Sequence, residues 1–424
     1  YIGGVFLKAE IIAVGTEILM GYIVNTNASD IAQELLDIGI GTYYQSVVGD
    51  NSDRINEALE IASSRSELII LSGGLGPTED DITKHVLAEF LGEELYHDKK
   101  QLERVETYFK DQNREMTKNN YRQALTIKGG ETILNDVGLA AGLIYTKEKD
   151  NKTIYYVVLP GPPFEMKHML NEHVKPFIRS VMAKQGVISS KYINLYGVGE
   201  SFVADKLSDL IETQTNPTIA IYAKPKRVTV RLTYNSETYE ESEDVLDELA
   251  EQIRQRFTKH FIGYGSEQTF EKFIVDELRK HNKTLSAAES LTGGLVLEKL
   301  TNTPGAGDVI VGGFVTYQTE QKVKMLGIPE SIIKEHTVVS AEVAKEMAER
   351  TLSLTGSDLA ISLTGVAGPK SLDGHPLGKV FVALAAKNHP VQVAELNISN
   401  KPRNVVREVA EFEVLNLVKE FLNK

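Results

Sequence analysis

Thr284–Gly294, TLSAAESLTGG, is the stretch whose reading decides the fold. Thr284 to Ala287 read as the end of a short apolar strand, and Leu295, Leu297 and Leu300 open a helical apolar pattern. Ser290 is thereby placed on a strand-to-helix turn. A serine there stands at the edge of a sheet, and a first helical turn leaves the N–H groups of Thr292, Gly293 and Gly294 unpaired. Such donors suit an oxyanion or a phosphate. The same residues also suit a plain helix cap followed by a tight glycine turn, and short motifs of this kind arise by chance.

Three stretches downstream favour a site. In GGFVTYQTEQK, Gly312 to Lys322, Tyr317 and Lys322 follow the apolar strand around Phe314 and Val315. SLTGVAGP, Ser362 to Pro369, follows an apolar strand from Asp358 to Leu363, and HPLGKV from His375 leads into a third. All the polar candidates sit at strand ends, and in an open α/β sheet the carboxyl ends of strands are where ligands bind.

The ordered set AESLTGG, GGFVTYQTEQK, LTGVAGP and PLGKV resembles the C-terminal domain of the CinA family, which is similar to the PncC-type nicotinamide mononucleotide (NMN) deamidases. The resemblance implies a serine that attacks the nicotinamide carboxamide with help from a lysine and a tyrosine, which fall on Ser290, Lys322 and Tyr317. The residue after the serine, usually cysteine in the family, is Leu291 here. The implied substrate site comprises Thr292, Gly293, Gly294, Thr364 and Gly365, with Arg403 and Arg407 of NKPRNVVR matched to basic family positions that pair with the substrate phosphate; a surface role suits those arginines equally. No cofactor is implied for this domain. With no histidine in the motifs except His375, the expected base is Lys322, its pKa lowered by burial and by neighbouring charge, with Tyr317 relaying a proton or orienting the lysine.

The first long segment alternates strands and helices. Glu10 to Val14 and Leu68 to Leu71 are continuous apolar runs, and Ile31, Leu35, Ile38 and then Ile55, Leu59, Ala62 form helical stripes. Such runs suit a parallel sheet buried on both faces, hence a doubly wound α/β domain. Its polar features also follow strands: VGTEIL, the pair Asn25 and Asn27, Asp50, and SGGLGPTEDDITK from Ser72 to Lys84. A glycine-rich turn cradles phosphate through backbone N–H groups while carboxylates hold a cation against it. A tight turn followed by acidic first-turn residues fits the same letters. With LPGPPFEM at Leu159 to Met166, GGLGPTEDDIT resembles the MoaB/MogA-like (molybdopterin-binding-like) fold of CinA N-terminal domains.

That resemblance implies a metal-dependent ADP-ribose pyrophosphatase site: Gly73, Gly74, Gly76, Thr78 and Asp50 around the nucleotide, Asp81 and Asp80 holding a divalent metal (Mg, Mn or Co), and Asn119, Gln123 and Asn135 lining the same pocket. One departure stands against the activity: the family commonly has GTAPG where this chain has GLAAG, Gly138 to Gly142. The polar segment His97 to Lys118 reads as a helical lid or a solvated helix. Pro176 is expected to kink the amphipathic helix that begins near Met166.

A smaller α+β unit follows, with a hairpin around KPKR and a long helix through Leu246, Leu249, Ile253 and Phe257; it resembles the KH-like middle domain of CinA proteins. Lys224, Lys226, Arg227 and Arg231 are expected to form a positive patch. Since GVGE at Gly197 does not sit between two helices as a KH clamp does, a spacer or dimerisation role is expected rather than RNA binding. The domains expected are 1–183 MoaB/MogA-like, 184–263 small α+β KH-like and 264–424 α/β deamidase.

Length and composition agree. A chain of 424 residues calls for two or three domains. With no cysteine, disulfides and thiolate metal sites are excluded, which suits a reducing cytoplasm. No apolar run reaches membrane-spanning length, and the net charge of −13 argues against broad nucleic-acid binding. Two functional readings follow: an enzyme acting on NMN and ADP-ribose, expected as a homodimer, or a regulatory protein with a recombination or competence partner, one or both sites being vestigial.

Overall fold

The computed structural model describes residues 7–149, 152–182, 187–224, 226–236, 238–372 and 374–423. The chain divides into two compact units, Tyr1–Lys191 with Val203–Tyr222 and Val230–Arg256, and Tyr192–Phe202 with Ala223–Thr229 and Phe257–Lys424.

The first unit begins with β1 (Ala9–Val14), β2 (Thr42–Val48), β3 (Leu68–Ser72), β4 (Leu95–His97), β5 (Leu125–Ile127), β6 (Glu131–Ile133), β7 (Gly142–Lys149) and β8 (Lys152–Leu159). Six of them form one sheet in the order β2-β1-β3-β8-β7-β6. β2, β1, β3 and β8 run parallel, and β7 pairs antiparallel with both β8 and β6. Side chains alternate across a strand, so each apolar run feeds two cores. Ile11, Ile70 and Val157 pack on one face with Ile31, Leu35 and Met166, whereas Ile12, Leu71 and Val158 pack on the other with Ile55, Leu59 and Leu87. This is the doubly wound arrangement the continuous apolar strands required.

The helix after LPGPP runs Pro163–Met169, passes through a π-helical stretch at Leu170–Val174 and continues as Lys175–Met182. Pro176 lacks an N–H and crowds the turn before it, which explains why the irregular turn stands there.

A four-stranded sheet in the order β10-β11-β9-β12 comprises β9 (Val187–Tyr196), β10 (Thr218–Lys224), β11 (Arg227–Ser236) and β12 (Phe261–Tyr264). The expected KPKR patch is corrected here. Arg231 is buried and donates to the Leu36 carbonyl at 2.7 Å and to Ser190. Arg227 donates to Asn194 at 2.8 Å, and Lys226 stands over the Phe412 ring near Glu413. These cations serve packing rather than a common surface. The Lys224 side chain and Pro225 lie outside the described residues, as does the boundary expected at 183/184.

The second unit contains a five-stranded sheet in the order β14-β13-β15-β16-β17, built from β13 (Leu285–Glu289), β14 (Ile310–Val315), β15 (Leu359–Gly365), β16 (Lys379–Ala386) and β17 (Gln392–Asn397). β14, β13 and β15 are parallel, and β16 pairs antiparallel with both β15 and β17. Leu285, Ala287, Leu359, Ile361 and Leu363 pack under helices Phe270–Lys280 and Arg403–Leu422; Ala288 faces the opposite side, toward Val343 and Met347. The parallel strands therefore deliver their carboxyl ends, at Ser290, Thr316 and Thr364, to one edge. No described helix is long and apolar enough to cross a membrane.

Candidate active site

Ser290 directly follows β13 and its N–H donates to the Leu363 carbonyl at 3.1 Å, which extends the ladder by one residue before the chain turns. Lys322 projects from helix Thr319–Leu326 and is 1% exposed, so its head group meets no solvent. Its Nζ donates to Ser290 Oγ at 2.9 Å and to the Thr316 carbonyl at 2.7 Å. Burial pushes the Lys322 pKa down to about 8, because an ammonium in an apolar surround loses its hydration. A serine beside a lysine so displaced is an activated nucleophile in the general sense. His375 takes no part; its Nε2 lies 3.1 Å from the Thr337 hydroxyl.

The expected oxyanion donors need correction. The Glu289 carboxylate, fully buried, accepts from the N–H of Gly294 at 2.9 Å, of Val296 at 3.2 Å and of Leu297 at 3.0 Å. The Gly293 N–H donates to the Ser290 carbonyl at 3.1 Å. Glu289 thus caps helix Leu295–Thr301 from inside the sheet, favoured by the partial positive charge of the helix start. Among the described residues the N–H groups that remain free in this turn are those of Leu291 and Thr292. Gly293 and Gly294 serve the turn itself, at φ 61° and 98°. Leu291 is buried in the core, so the position that often carries cysteine in the family is a packing position here.

Other expected roles shift as well. Tyr317 is 55% exposed and its hydroxyl accepts from Arg403 Nη2 at 2.5 Å. Lys322 is oriented instead by the Thr316 carbonyl. Arg403 also donates to the Gly368 carbonyl, and Arg407 donates to the Thr292 carbonyl at 2.5 Å. Both arginines of the last helix therefore hold loops that border Ser290. Thr364 is turned inward, its hydroxyl donating to the Val338 carbonyl at 2.8 Å, and Gly365 is the last residue of β15, where a Cβ would lie 2.7 Å from the Lys379 carbonyl oxygen. The strand runs two residues further than its apolar letters suggest, which removes both from the loop.

In the first unit, a cleft of about 660 Å³ is lined by Gly73, Gly74, Gly76, Thr78, Asp50, Asp80, Asp81 and Asn27 at the carboxyl ends of β1 and β3. The glycines are required by geometry. Gly73 has φ 108° and Gly74 has φ 67°; a Cβ on the first would lie 2.1 Å from the Val14 carbonyl oxygen, and on the second 2.2 Å from Thr83 Oγ1. Asp50 accepts from Thr16 N–H and Oγ1, both at 2.9 Å, and Asp81 accepts from the Thr78 N–H at 2.9 Å and from its hydroxyl. Each carboxylate keeps one oxygen uncommitted in these bonds. A Mg²⁺-type ion leans on substrate phosphates and retained waters, so one or two carboxylates suffice; Asp80 and Asp81 fit that demand. Among the described residues no group of three or more His, Cys, Asp or Glu side chains is placed to hold a metal unaided.

Asn119 is exposed and absent from this lining; its neighbour Asn120 is the buried one, accepting from the Thr117 N–H and hydroxyl and donating to Gln123. Gln123 lines a second cavity of about 1040 Å³ together with Lys100, Arg104 and Tyr108 of helix Lys99–Asp111. Asn135 is fully buried and lines neither space: it accepts from the Gly138 N–H at 2.7 Å and donates to the Ala140 carbonyl and to Glu165. The GLAAG turn is further fixed by Gln101, which donates to the Leu139 carbonyl at 2.7 Å. A loop without the family's proline is thereby held by side-chain amides.

Glu289 and Thr316 belong to the site without carrying a motif signal of their own in the sequence. For Glu289 the signal is an acidic residue that ends a wholly buried strand, which burial obliges to find donors.

A glycine-loop cleft in a doubly wound domain and a buried serine–lysine pair at the strand ends of a second α/β sheet define a multidomain α/β protein with a polar site at the strand ends of each sheet. Comparison with known proteins gives the family. The chain belongs to the CinA family: the CinA C-terminal domain matches residues 267–422, the "Damage-inducible protein CinA KH domain" residues 190–263 and the "Probable molybdopterin binding domain" residues 10–180. A protein of Listeria monocytogenes serovar 1/2a named as competence-damage inducible is 44% identical, over 98% of this chain and 99% of its own. One of Streptococcus pyogenes serotype M2 is 44% identical over 99% of both. The solved structure of a CinA protein from Thermoplasma acidophilum is 35% identical, covers 40% of this chain and 98% of that one, and has a TM-score of 0.36. The architecture is a MoaB-like N-terminal domain, a CinA KH middle domain and a C-terminal CinA domain.

Proposed function

We propose that the C-terminal domain hydrolyses the carboxamide of NMN to nicotinate mononucleotide and ammonia. The observation that carries this reading is the buried Lys322 Nζ at 2.9 Å from Ser290 Oγ. As the neutral amine, Lys322 takes the Ser290 proton while Oγ bonds to the carboxamide carbon. The tetrahedral adduct places its oxyanion toward the N–H groups of Leu291 and Thr292. Collapse breaks the C–N bond, and Nζ returns its proton to the departing nitrogen, which leaves as ammonia. Water then attacks the ester, gives a proton to Nζ, and Ser290 departs with that proton. Arg403 and Arg407 supply positive charge for the substrate phosphate at the rim.

A second activity, metal-dependent hydrolysis of ADP-ribose, is favoured by the glycine loop and by the uncommitted oxygens of Asp50 and Asp81. A divalent ion held by Asp80, Asp81 and the diphosphate would supply charge neutralisation there. The test is ammonia release from NMN by the purified chain beside Ser290→Ala, with ADP-ribose hydrolysis measured on the same samples with and without Mg²⁺. Loss of ammonia release in the variant supports the deamidase. Equal release by both proteins, or none by the folded wild type, rejects it.

A further inference from the structure

Thr316 has a hydroxyl that the chemistry above leaves unused. The residue is fully buried, and Thr316 Oγ1 has no hydrogen-bond partner. Buried polar groups are nearly always satisfied, so such a hydroxyl marks either a cost or a use. Its surroundings point to a use. In the parallel ladder Val315 stands opposite Glu289, and the Thr316 N–H donates to the Glu289 carbonyl at 2.8 Å, which places Thr316 beside Ser290. Neighbours across a parallel pair project to the same face. The Thr316 carbonyl also holds Lys322 Nζ at 2.7 Å. One residue thus fixes the base through its main chain and carries a buried, unpaired hydroxyl on the strand next to the one that ends at Ser290.

We propose that the Thr316 hydroxyl accepts an N–H of the departing nitrogen. The inference rests on the deamidase reading. For Nζ to return its proton, the amide nitrogen must come within hydrogen-bond distance of Nζ, and therefore next to the residue whose carbonyl fixes Nζ. A primary amide nitrogen carries two N–H groups and becomes pyramidal as the C–N bond breaks. An acceptor on one N–H turns the developing nitrogen lone pair toward the Lys322 proton. A hydroxyl oxygen with no other partner is suited to this task. The substrate class this selects is the primary carboxamide. An ester leaves as an alkoxide with no N–H to accept and gains nothing from Thr316.

The test compares NMN with the methyl ester of nicotinate mononucleotide, using wild type, Thr316→Val and Thr316→Ser. Valine keeps the shape and the carbonyl that holds Lys322 while deleting the hydroxyl. The expected result is a loss of about 10- to 100-fold in kcat for ammonia release by Thr316→Val. Methanol release from the ester stays within about twofold, and Thr316→Ser restores the amide activity, since a serine hydroxyl makes the same single bond. The pH limb of ester turnover also stays in place, because Nζ keeps its carbonyl partner. Equal losses on both substrates would overturn the inference by making Thr316 a support for Lys322 alone, and so would unchanged amide turnover. A folded wild type that releases neither ammonia nor methanol would instead reject the deamidase reading, and this inference with it.

Discussion

The Ser290 site and the glycine-loop cleft occupy equivalent places, the carboxyl ends of parallel strands, yet they are assembled in opposite ways. At Ser290 the reacting groups already touch one another: nucleophile, lysine and the carbonyl that orients it form one bonded set, the lysine buried and the serine alone retaining a little exposure. In the cleft the carboxylates are braced by threonines and turned to a groove whose floor is backbone. The first arrangement carries its chemistry within the protein. In the proposed reaction the second supplies a cradle, and the charges that complete it would come with the ligand and a divalent ion. Substitutions should therefore act in separate ways on the two activities.

The largest separation is expected from Lys322→Met. It removes the base but fills the same apolar space, so ammonia release should fall by about a thousandfold or more while circular dichroism and ADP-ribose hydrolysis stay unchanged. Retained deamidation would show that Lys322 is a packing residue. Asp81→Asn tests the other side. It should lower metal-dependent ADP-ribose hydrolysis by about 10- to 100-fold and leave ammonia release untouched; a matching loss of both would make the two sites one functional unit.

Glu289→Gln sharpens the comparison at the level of stability. A carboxylate with three N–H donors becomes an amide with one acceptor oxygen, and about 2 kcal/mol of unfolding free energy should be lost in urea titration. Unchanged stability would remove Glu289 as the anchor of the Ser290 turn.

This anchor also shows what was legible in the sequence. The strand-turn-helix around Ser290 could be read because it follows from local patterning, an apolar strand and then a glycine turn, whereas Lys322 was reached through the ordered family motifs, its own local pattern fitting an exposed helical lysine equally. The fold was legible for the same reason, the apolar runs being long enough to bury a parallel sheet on both faces. What could not be read were partners set by register. Thr364 and Gly365 looked like loop residues because small letters follow Leu363, but pairing with β16 carries the strand through Gly365. Tyr317 looked like a partner of Lys322, while the fold brings Arg403, 86 residues away in sequence, to its hydroxyl. Asn119 missed by one position. Lys118–Ala124 is a 3₁₀ helix with a capping box at Thr117, and that box draws Asn120 inward.

The pH dependence is a smaller and sharper test. Burial moves Lys322 from 10.5 down to about 8, and the neutral amine is the active form. Ammonia release should therefore rise with pH along a limb centred near 8 and level off above it, a change of roughly tenfold per unit at lower pH. Between about 8 and 10.5 the unfolded chain binds more protons than the folded one, so the Lys322 contribution to stability rises with pH across that window. The metal-dependent activity has no reason to share this limb. The least effect is expected from Asn119→Ala, an exposed change that should alter ADP-ribose hydrolysis by less than about twofold.

The central claim is that Ser290 becomes acylated. It is tested most directly by quenching the wild-type protein in acid during NMN turnover and mapping the peptide that contains Ser290 by mass spectrometry. A nicotinoyl-ribotide ester on Ser290, missing from Ser290→Ala and discharged as hydroxamate when hydroxylamine is added, is the predicted result. Continued ammonia release by Ser290→Ala, with no ester on the wild-type peptide, would contradict the account.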